Sequence, residues 1–277
     1  MNAASATTSP AASQTAETAS ESYVLREDRN GVARLTLNRP KAYNALSTGM
    51  MSALQAELDA IKDDSQVRAV IIAGSGRGFC AGHDLKELRS RKDRAFYEEV
   101  FSQCSRLMMS VVELPRPVIA QAHGIATAAG CQLVASCDLA VAADSTRFGT
   151  PGVNIGLFCS TPMVALSRNV PRKIAMEMLL TGEQLDAHRA VEFGLINKAV
   201  PEEKLEEEAD SLAARIVAKS PYVLKIGKEA FYRQLERPLK DAYTYTSEVM
   251  VTNMMARDAA EGIDAFLEKR DPVWHGE

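Results

Sequence analysis

The sequence has few cysteines for its length and no apolar stretch long enough to cross a membrane. Five cysteines are spread over 277 residues, and no two of them form a C-x-x-C pair. This argues against a disulfide framework and a structural zinc site, and it favours a reducing compartment, for which we expect the cytosol. No window approaches the roughly 18 consecutive apolar residues of a transmembrane helix, so we expect no membrane span.

An excess of positive charge is also missing. The 32 Lys and Arg residues stand against 36 Asp and Glu residues, which gives a net charge of -4. This balance argues against a nucleic acid as the partner, because binding along a phosphate backbone needs a basic surface. Hydrophobic residues make up 46% and charged residues 25% of the chain. These are the proportions of a folded globular protein.

Several common catalytic and ligand-binding motifs are absent. The glycine-rich stretch 74–82 matches neither G-x-x-x-x-G-K-[ST] nor G-x-G-x-x-G, because Phe79 and Ala81 stand where the latter motif needs its last glycine. There is no G-x-S-x-G, no H-E-x-x-H and no calcium-binding loop. The four histidines are far apart in the sequence. We therefore expect neither a phosphate-binding loop nor a bound metal.

The first 22 residues differ in composition from the rest. They are dominated by Ala, Ser and Thr and contain no Lys or Arg. They lack the charged start and apolar stretch of a signal peptide and the Arg-rich character of a mitochondrial transit peptide. We predict a disordered tail at 1–22, because such a sequence buries too little apolar surface to become ordered. A core at 23–215 and a helical C-terminal region at 216–277 are predicted to follow.

Strands and helices alternate after this tail, as is typical of an α/β protein. Two short strands are predicted on either side of the Asn30-Gly31 turn, and a helix is predicted to begin at Ser47 or Thr48. Buried strands and the helices between them are predicted, in chain order, at 67–73, 94–114, 118–122, 128–136 and 139–143. From Pro162 onward the pattern is helical, with one short strand at 196–200.

Two turns that follow buried strands are rich in small residues, namely 79–88 and 123–133. Small residues let backbone N–H groups face a ligand closely, and a helix that begins there adds a partial positive potential. This combination favours binding of an oxyanion. The alternative is two tight turns between strand and helix that have no chemical role.

These turns, with the spacing between them, resemble the crotonase superfamily, to which enoyl-CoA hydratases and isomerases belong. The resemblance covers about residues 23–274 and rests on motifs that occur in order at 39–46, 80–88, 120–138, 148–151 and 181–195. The implied fold is an α/β, crotonase-like spiral of strand-strand-helix units. Its helical C-terminal region would pack subunits into homotrimers, often paired as hexamers.

The resemblance also implies a substrate and a site. The backbone N–H groups of His83 and Ala129 would donate to the thioester carbonyl of an acyl-CoA. Such a pair of donors stabilises the negative charge of an enolate, and loss of one typically costs about 3 to 4 kcal/mol. CoA is part of the substrate, and no separate cofactor is expected. It would lie along Lys41, Ala42, Gly82, Asp84, Leu85, Phe266 and Lys269. For the lysines, a role as ordinary solvated surface charges stays open.

The sequence departs from the family at the positions that move protons. Gln132 and Gly152 stand where hydratases of the family carry two glutamates, and Ser160 stands where some isomerases carry an acid. Glutamine can orient a water molecule but cannot exchange a proton near neutral pH, and glycine has no side chain. Each general acid or base contributes roughly 100-fold to 10,000-fold, so we expect weak hydratase activity. The local candidates for a replacement acid or base are His83, His123, Cys159 and Ser160.

Two classes of function stay open. One is an enzyme that uses the oxyanion hole with an unfamiliar acid or base. Decarboxylation of a malonyl-type CoA thioester fits this class, because it needs enolate stabilisation more than a dedicated base. The other is a noncatalytic, acyl-CoA-binding regulatory homologue.

Overall fold

The computed structural model describes residues 22–277, so the predicted tail lies outside the described residues apart from Ser22. The helices of this part of the chain are α1 (Thr48–Asp63), α2 (Leu85–Ser90), α3 (Arg94–Glu113), α4 (Ala129–Ser136), α5 (Pro162–Asn169), α6 (Arg172–Thr181), α7 (Ala187–Glu192), α8 (Leu205–Val217), α9 (Pro221–Leu235), α10 (Leu239–Met254) and α11 (Arg257–Glu268). None of these helices is both long enough and apolar enough to cross a bilayer.

Two β-sheets lie among these helices. Their strands are β1 (Val24–Arg29), β2 (Val32–Leu37), β3 (Ala69–Gly74), β4 (Val118–Ala122), β5 (Ile125–Thr127), β6 (Leu139–Ala143), β7 (Arg147–Gly149), β8 (Gln184–Asp186) and β9 (Lys198–Val200). The larger sheet has the order β1-β2-β3-β4-β6-β9, and all its pairs except β1 with β2 are parallel. The smaller sheet has the order β5-β7-β8.

The larger sheet is buried on both faces. Val70 and Ile72 of β3 belong to the main core, which includes the buried sides of α1 and α3. Ile71, between them in the sequence, packs with Ala209 and Ala213 of α8 in a second core. This alternation follows from the two-residue repeat of a strand, and it explains why β3 is a continuous apolar run.

The hairpin and the first helix form as predicted. Asn30 and Gly31 have φ values of 52° and 77°, as a tight hairpin turn between right-handed twisted strands requires. The Ser47 side chain accepts a hydrogen bond from the backbone N–H of Met50 at 3.2 Å and caps α1. Local signals were sufficient for both features.

The smaller sheet and α2 were missed. Each of the strands β5, β7 and β8 has three residues, too few for a periodic pattern to stand out. Strand β8 also interrupts the stretch after Pro162 that was predicted to be helical up to residue 196. Helix α8 ends at Val217, two residues beyond the predicted end of the core region.

A buried ion pair attaches α9 to the core. The Lys228 ammonium donates to Asp138 Oδ2 at 2.7 Å and to the carbonyls of Val111 and Arg116, both at 3.0 Å. The Tyr232 hydroxyl donates to Asp138 Oδ1 at 2.9 Å. Because Val111 lies on α3 and Arg116 precedes β4, these bonds hold the C-terminal helices against the end of α3.

Candidate active site

Strand β5 holds the two small-residue turns side by side. The backbone N–H of Cys80 donates to the Ile125 carbonyl at 3.1 Å, and that of Thr127 donates to the Cys80 carbonyl at 2.9 Å. The Thr127 hydroxyl adds a bond to the Ala81 carbonyl at 3.2 Å. These bonds join segments more than 40 residues apart into one unit.

Two glycines permit this close approach. Gly82 has a φ of +90°, and a Cβ atom there would lie 2.8 Å from the Ala128 Cβ and 3.2 Å from the Ala129 nitrogen. A Cβ atom at Gly130 would lie 2.1 Å from the Cys80 carbonyl oxygen. A side chain at either position would therefore push the turns apart.

The proximity of Gly82 to Ala129 brings the two predicted oxyanion donors to the same place. Neither the N–H of His83 nor that of Ala129 bonds to a backbone carbonyl within residues 22–277. The neighbouring groups of the first turn are engaged, because the Leu46 N–H donates to the Gly82 carbonyl and the Asp84 N–H donates to the Leu46 carbonyl. Ala129 is the first residue of α4, where N–H groups have no acceptor inside the helix.

The residue before α4 has an unusual backbone conformation. Ala128 has φ 50° and ψ -118°, a region that residues other than glycine rarely adopt. Its N–H donates to the Gly149 carbonyl at 2.8 Å, so the neighbouring strand β7 helps to hold this conformation. Strained backbone of this kind persists only where the surroundings impose it, and it is common at functional sites.

His83 provides a neutral ring at the site. Its imidazole packs edge-on against Phe101, with 5.3 Å between the ring centroids. Burial lowers the pKa of His83 to about 4, and the Glu87 carboxylate opposes this effect only in part. Glu87 is itself held by the N–H and the hydroxyl of Thr48, at 2.9 and 2.6 Å. At neutral pH the imidazole is therefore uncharged. It cannot serve as a general acid in its protonated form, and it is a weak base.

Gln132 and Gly152, which stand where the resemblance implies two glutamates, have different surroundings. Gln132 lies on α4 and is 5% exposed, and its Oε1 has no partner among the described residues. At Gly152 the backbone fills the space of a side chain, because a Cβ atom would lie 2.5 Å from the Leu157 carbonyl oxygen and 2.8 Å from Cys159 Sγ. This close approach, and not a positive φ, is what requires glycine at 152.

The other three candidates for an acid or base, Cys159, Ser160 and His123, differ in burial and in hydrogen bonding. Burial raises the pKa of the Cys159 thiol, against a hydrogen bond from the Gly152 N–H, so this group stays protonated at neutral pH. Ser160 is exposed, and its hydroxyl lies 3.4 Å from the Phe158 carbonyl oxygen. The His123 ring is bound through Nε2 to the Gly76 carbonyl at 2.8 Å. Of these three, only Cys159 is buried beside Gly152.

The residues expected along CoA fall into two groups. The first group, Lys41, Ala42 and Leu85, lies beside the first turn. Lys41 and Ala42 belong to a short 3-10 helix, and the carbonyl of the next residue, Tyr43, accepts a hydrogen bond from the Ala81 N–H at 2.9 Å. Leu85 follows the turn directly as the first residue of α2. Phe266 and Lys269 lie at the end of α11, which packs on α9 and α10. The second group thus lies on the last helix, whereas the first group lies on the segments around the first turn.

The Asp84 carboxylate is fully engaged in hydrogen bonds within the chain. Burial opposes its ionisation, but hydrogen bonds from Arg39 and from the Glu87 N–H lower its pKa below the usual value. The Arg39 guanidinium lies 2.9 Å from its carboxylate, and the N–H groups of Lys86 and Glu87 complete the cap of α2. Asp84 therefore fixes the shape of the turn.

Two buried polar residues, Asn44 and Thr150, lie within the motifs of the resemblance but were not predicted as site residues. Asn44 has a φ of 54° and donates from Nδ2 to the carbonyls of Ser75 and Gly78, at 2.9 and 2.8 Å. An Asn next to the Lys41-Ala42 segment was an available signal, because Asn tolerates positive φ better than most residues. Thr150 lies in the motif at 148–151, but it follows β7, which was not predicted, so no role was assigned to it.

Comparison with known proteins supports the resemblance. The family model described as Enoyl-CoA hydratase/isomerase matches residues 27–277. The chain is 51% identical over 251 residues to enoyl-CoA hydratase domain-containing protein 3, mitochondrial, of Xenopus laevis, covering 91% of this chain and 85% of that protein. It is 50% identical over 248 residues to the Homo sapiens protein of the same name, covering 90% and 82%.

The names of these relatives contradict the cytosolic location that we expected. The proteins of Xenopus laevis, Rattus norvegicus and Homo sapiens are all named mitochondrial. The five cysteines are free and buried, as in a reducing compartment, but this property does not distinguish one reducing compartment from another. The cytosolic prediction is therefore wrong, and the relatives point to mitochondria.

Solved structures agree with the fold. An enoyl-CoA hydratase of Mycobacterium smegmatis superposes with a TM-score of 0.90 at 52% identity, covering 92% of this chain and all of that chain. Human enoyl Coenzyme A hydratase domain-containing protein 3 gives a TM-score of 0.89 at 49% identity, covering 91% and 100%. The predicted crotonase-like fold is thereby confirmed. On sequence and structure together, the chain belongs to the enoyl-CoA hydratase/isomerase family of the crotonase superfamily.

Proposed function

We propose that this protein binds an acyl-CoA thioester and holds the carbonyl oxygen between the N–H groups of His83 and Ala129. The observation that carries the proposal is the meeting of two turns that each present a backbone N–H without a backbone acceptor. Two fixed donors stabilise the charge that develops on this oxygen when an enolate forms. Membership of the family supports a substrate of this class.

The reaction would use enolate stabilisation without the proton transfer of an ordinary hydratase. Gln132 can orient a water molecule but cannot take its proton, and Gly152 offers no group at all. The noncatalytic alternative draws support from Gly152, because the backbone of Leu157 fills the space that a second glutamate would need. Incubation with enoyl-, hydroxyacyl-, malonyl- and methylmalonyl-CoA, read by mass spectrometry, separates an enzyme from a binder and identifies a decarboxylase.

CoA itself would lie along Lys41, Ala42 and the start of α2. Gly82 would contribute by letting the turns approach, and Asp84 by fixing the turn. Leu85 is exposed and free to contact the ligand. Phe266 and Lys269 would contact CoA only through α11 in the assembled protein. In the single chain Phe266 is 82% exposed.

Ala129→Pro tests the oxyanion hole. Proline is generally accepted at the first position of a helix, although it disfavours the ψ of -118° at the preceding Ala128, so circular dichroism has to show a native fold first. The substitution removes the N–H and places a ring where the ligand oxygen would lie. We expect turnover to fall about 100-fold or more, because the lost donor stabilises charge in the transition state. For a binder, which develops no such charge, we expect the affinity to fall about tenfold. Titration calorimetry with butyryl-CoA and rates over the CoA panel measure this.

The matched control is Arg94→Pro. It places proline at the first position of α3, after an extended Asp93 and away from both turns. It should retain the parental affinity. If Ala129→Pro folds and binds or converts acyl-CoA like the parent protein, the assigned oxyanion hole is wrong.

We also propose that the chain assembles into a homotrimer or hexamer. Large apolar side chains are exposed on the C-terminal helices of the single chain, including Leu239, Met250, Val251, Met255, Phe266 and Leu267. Many large exposed apolar side chains on neighbouring helices are typical of an interaction site. Light scattering coupled to size-exclusion chromatography should give the mass of three or six copies, and a monomer at micromolar concentration would contradict the proposal.

A further inference from the structure

The residue that ends α11 has a strained backbone. Lys269 has φ 57° and ψ 42°, which lie in the left-handed region. Its N–H donates to the Phe266 carbonyl at 3.3 Å, and the Arg270 N–H reaches back to the Ala265 carbonyl at 3.0 Å. Glycine is the usual residue where a helix ends in this way, because a side chain in this conformation costs free energy. A lysine here therefore calls for a reason other than the fold.

One carboxylate fixes the chain on both sides of Lys269. The two oxygens of Glu261, on α11, accept hydrogen bonds from the Arg270 guanidinium at 2.6 and 2.9 Å. The Val273 N–H also donates to this carboxylate, at 2.7 Å. These bonds lower the pKa of Glu261 to about 2, so the carboxylate is ionised at neutral pH. Two charge-assisted bonds between a guanidinium and a carboxylate fix direction as well as distance.

The C-terminal segment adds a second attachment beyond Lys269. The carboxylate of Asp258, which is 1% exposed, accepts from the N–H groups of His275 and Gly276 at 2.6 and 2.9 Å. The Ser220 hydroxyl donates to the same carboxylate at 2.5 Å. Because Ser220 caps α9, these bonds hold both the segment after Lys269 and the start of α11 against that helix.

The Lys269 side chain is left free by this arrangement. It is exposed and forms no ion pair within residues 22–277. The nearby carboxylates of Glu261 and Glu268 are paired with Arg270 instead, each at 2.6 Å. The chain thus fixes the backbone of Lys269 and keeps its charge available for an anion from outside the chain.

Resting on the proposed function, we infer that Glu261 and Arg270 position Lys269 to bind the phosphate groups in the nucleotide half of an acyl-CoA. Glu261 and Arg270 are positioning residues, because they hold the turn and do not touch the ligand. A fixed backbone favours binding, since less conformational freedom is lost when the phosphate is bound. The thioester half lies at the two small-residue turns and does not depend on this clamp of Glu261 and Arg270.

Titration of the full chain with butyryl-CoA and with butyryl-pantetheine, which lacks the phosphate groups and the nucleotide, tests the inference. Glu261→Ala should weaken binding of butyryl-CoA about tenfold, because a hydrogen bond to a charged group is worth at least that factor. It should leave the affinity for butyryl-pantetheine unchanged. A purely structural role would weaken both. Ligand-observed NMR measures the affinity of the smaller ligand.

Lys269→Gly separates binding from stability by the sign of its effects. It should weaken butyryl-CoA binding about tenfold, because the ammonium is lost. It should also raise the midpoint of urea denaturation, because glycine relieves the strained backbone. Since this variant should be at least as stable as the parent protein, it tests the inference even if Glu261→Ala does not fold.

Arg257→Met is the matched control. Arg257 lies at the other end of α11, and its guanidinium is paired with the Glu277 carboxylate at 2.7 Å. This variant also removes an ion pair of α11, but it should keep the parental affinity for both ligands.

Three results would overturn the inference. They are parental affinity for butyryl-CoA in folded Glu261→Ala or Lys269→Gly, an equal loss of affinity for both ligands in Glu261→Ala, and equal wild-type affinity for the two ligands. The last result would mean that the nucleotide half is not recognised, and it would remove the inference alone. If the wild-type protein binds neither ligand, the proposed function fails, and the inference fails with it.

Discussion

Wild-type protein should hydrate crotonyl-CoA at a rate far below the usual enzyme range of about 1 to 1,000 per second. Hydration needs one group to position and deprotonate water and another to deliver a proton to the α carbon. Gln132 and Gly152 supply neither, and each missing group lowers the rate by roughly 100-fold to 10,000-fold. The loss of crotonyl-CoA absorbance measures the rate. Turnover within the usual range would show that other residues already supply the acid and base.

Introducing carboxylates at both positions extends this prediction. Gln132→Glu together with Gly152→Glu should raise the hydration rate more than either change alone, because residues that act as one unit have non-additive effects. The structure adds an expected loss of stability. A side chain at 152 meets the Leu157 carbonyl and Cys159, so Gly152→Glu should lower the free energy of unfolding by about 1 to 3 kcal/mol.

The control for this loss is Gly227→Glu, because a Cβ atom at Gly227 meets nothing within 4 Å. Urea denaturation of each variant should precede the rate measurement. If the folded double variant hydrates crotonyl-CoA no faster than Gln132→Glu alone, then a carboxylate at position 152 does not act as the second acid or base in this chain.

Lys228→Met should lower the free energy of unfolding by about 3 to 5 kcal/mol. Removing one partner of a buried ion pair leaves the other charge uncompensated, and this loss is much larger than that of a surface pair. The variant removes three hydrogen bonds, and among residues 22–277 it leaves Asp138 with donors only from Tyr232 and the Val118 N–H. Urea denaturation at one fixed protein concentration measures the change, because assembly also contributes to stability.

Lys225→Met controls for the loss of a lysine from the same helix. Lys225 is exposed, and its replacement should change the free energy of unfolding by no more than about 0.5 kcal/mol. A loss below about 1 kcal/mol for Lys228→Met would mean that the ion pair does not hold α9 to the core.

Local interactions made the hairpin, the capped first helix and the buried strands predictable. The Asn30-Gly31 turn, the Ser47 cap and the apolar run of β3 each depend on residues that are close in the sequence. The two small-residue turns were also visible, because the need for glycine at a close approach leaves a composition signal. The sequence by itself thus determined the family, the order of the main elements and the identity of the two turns.

Only the tertiary structure decided how these turns meet. The bonds from β5 to Cys80, the strained backbone at Ala128 and the contact between Gly152 and Leu157 join segments that are distant in the sequence or lie in an irregular loop. Three-residue strands have too few positions to produce a periodic pattern, so the motif at 148–151 was visible but the strand that places Thr150 was not. A polar atom is unpaired only with respect to everything packed around it, and that packing is a property of the folded chain.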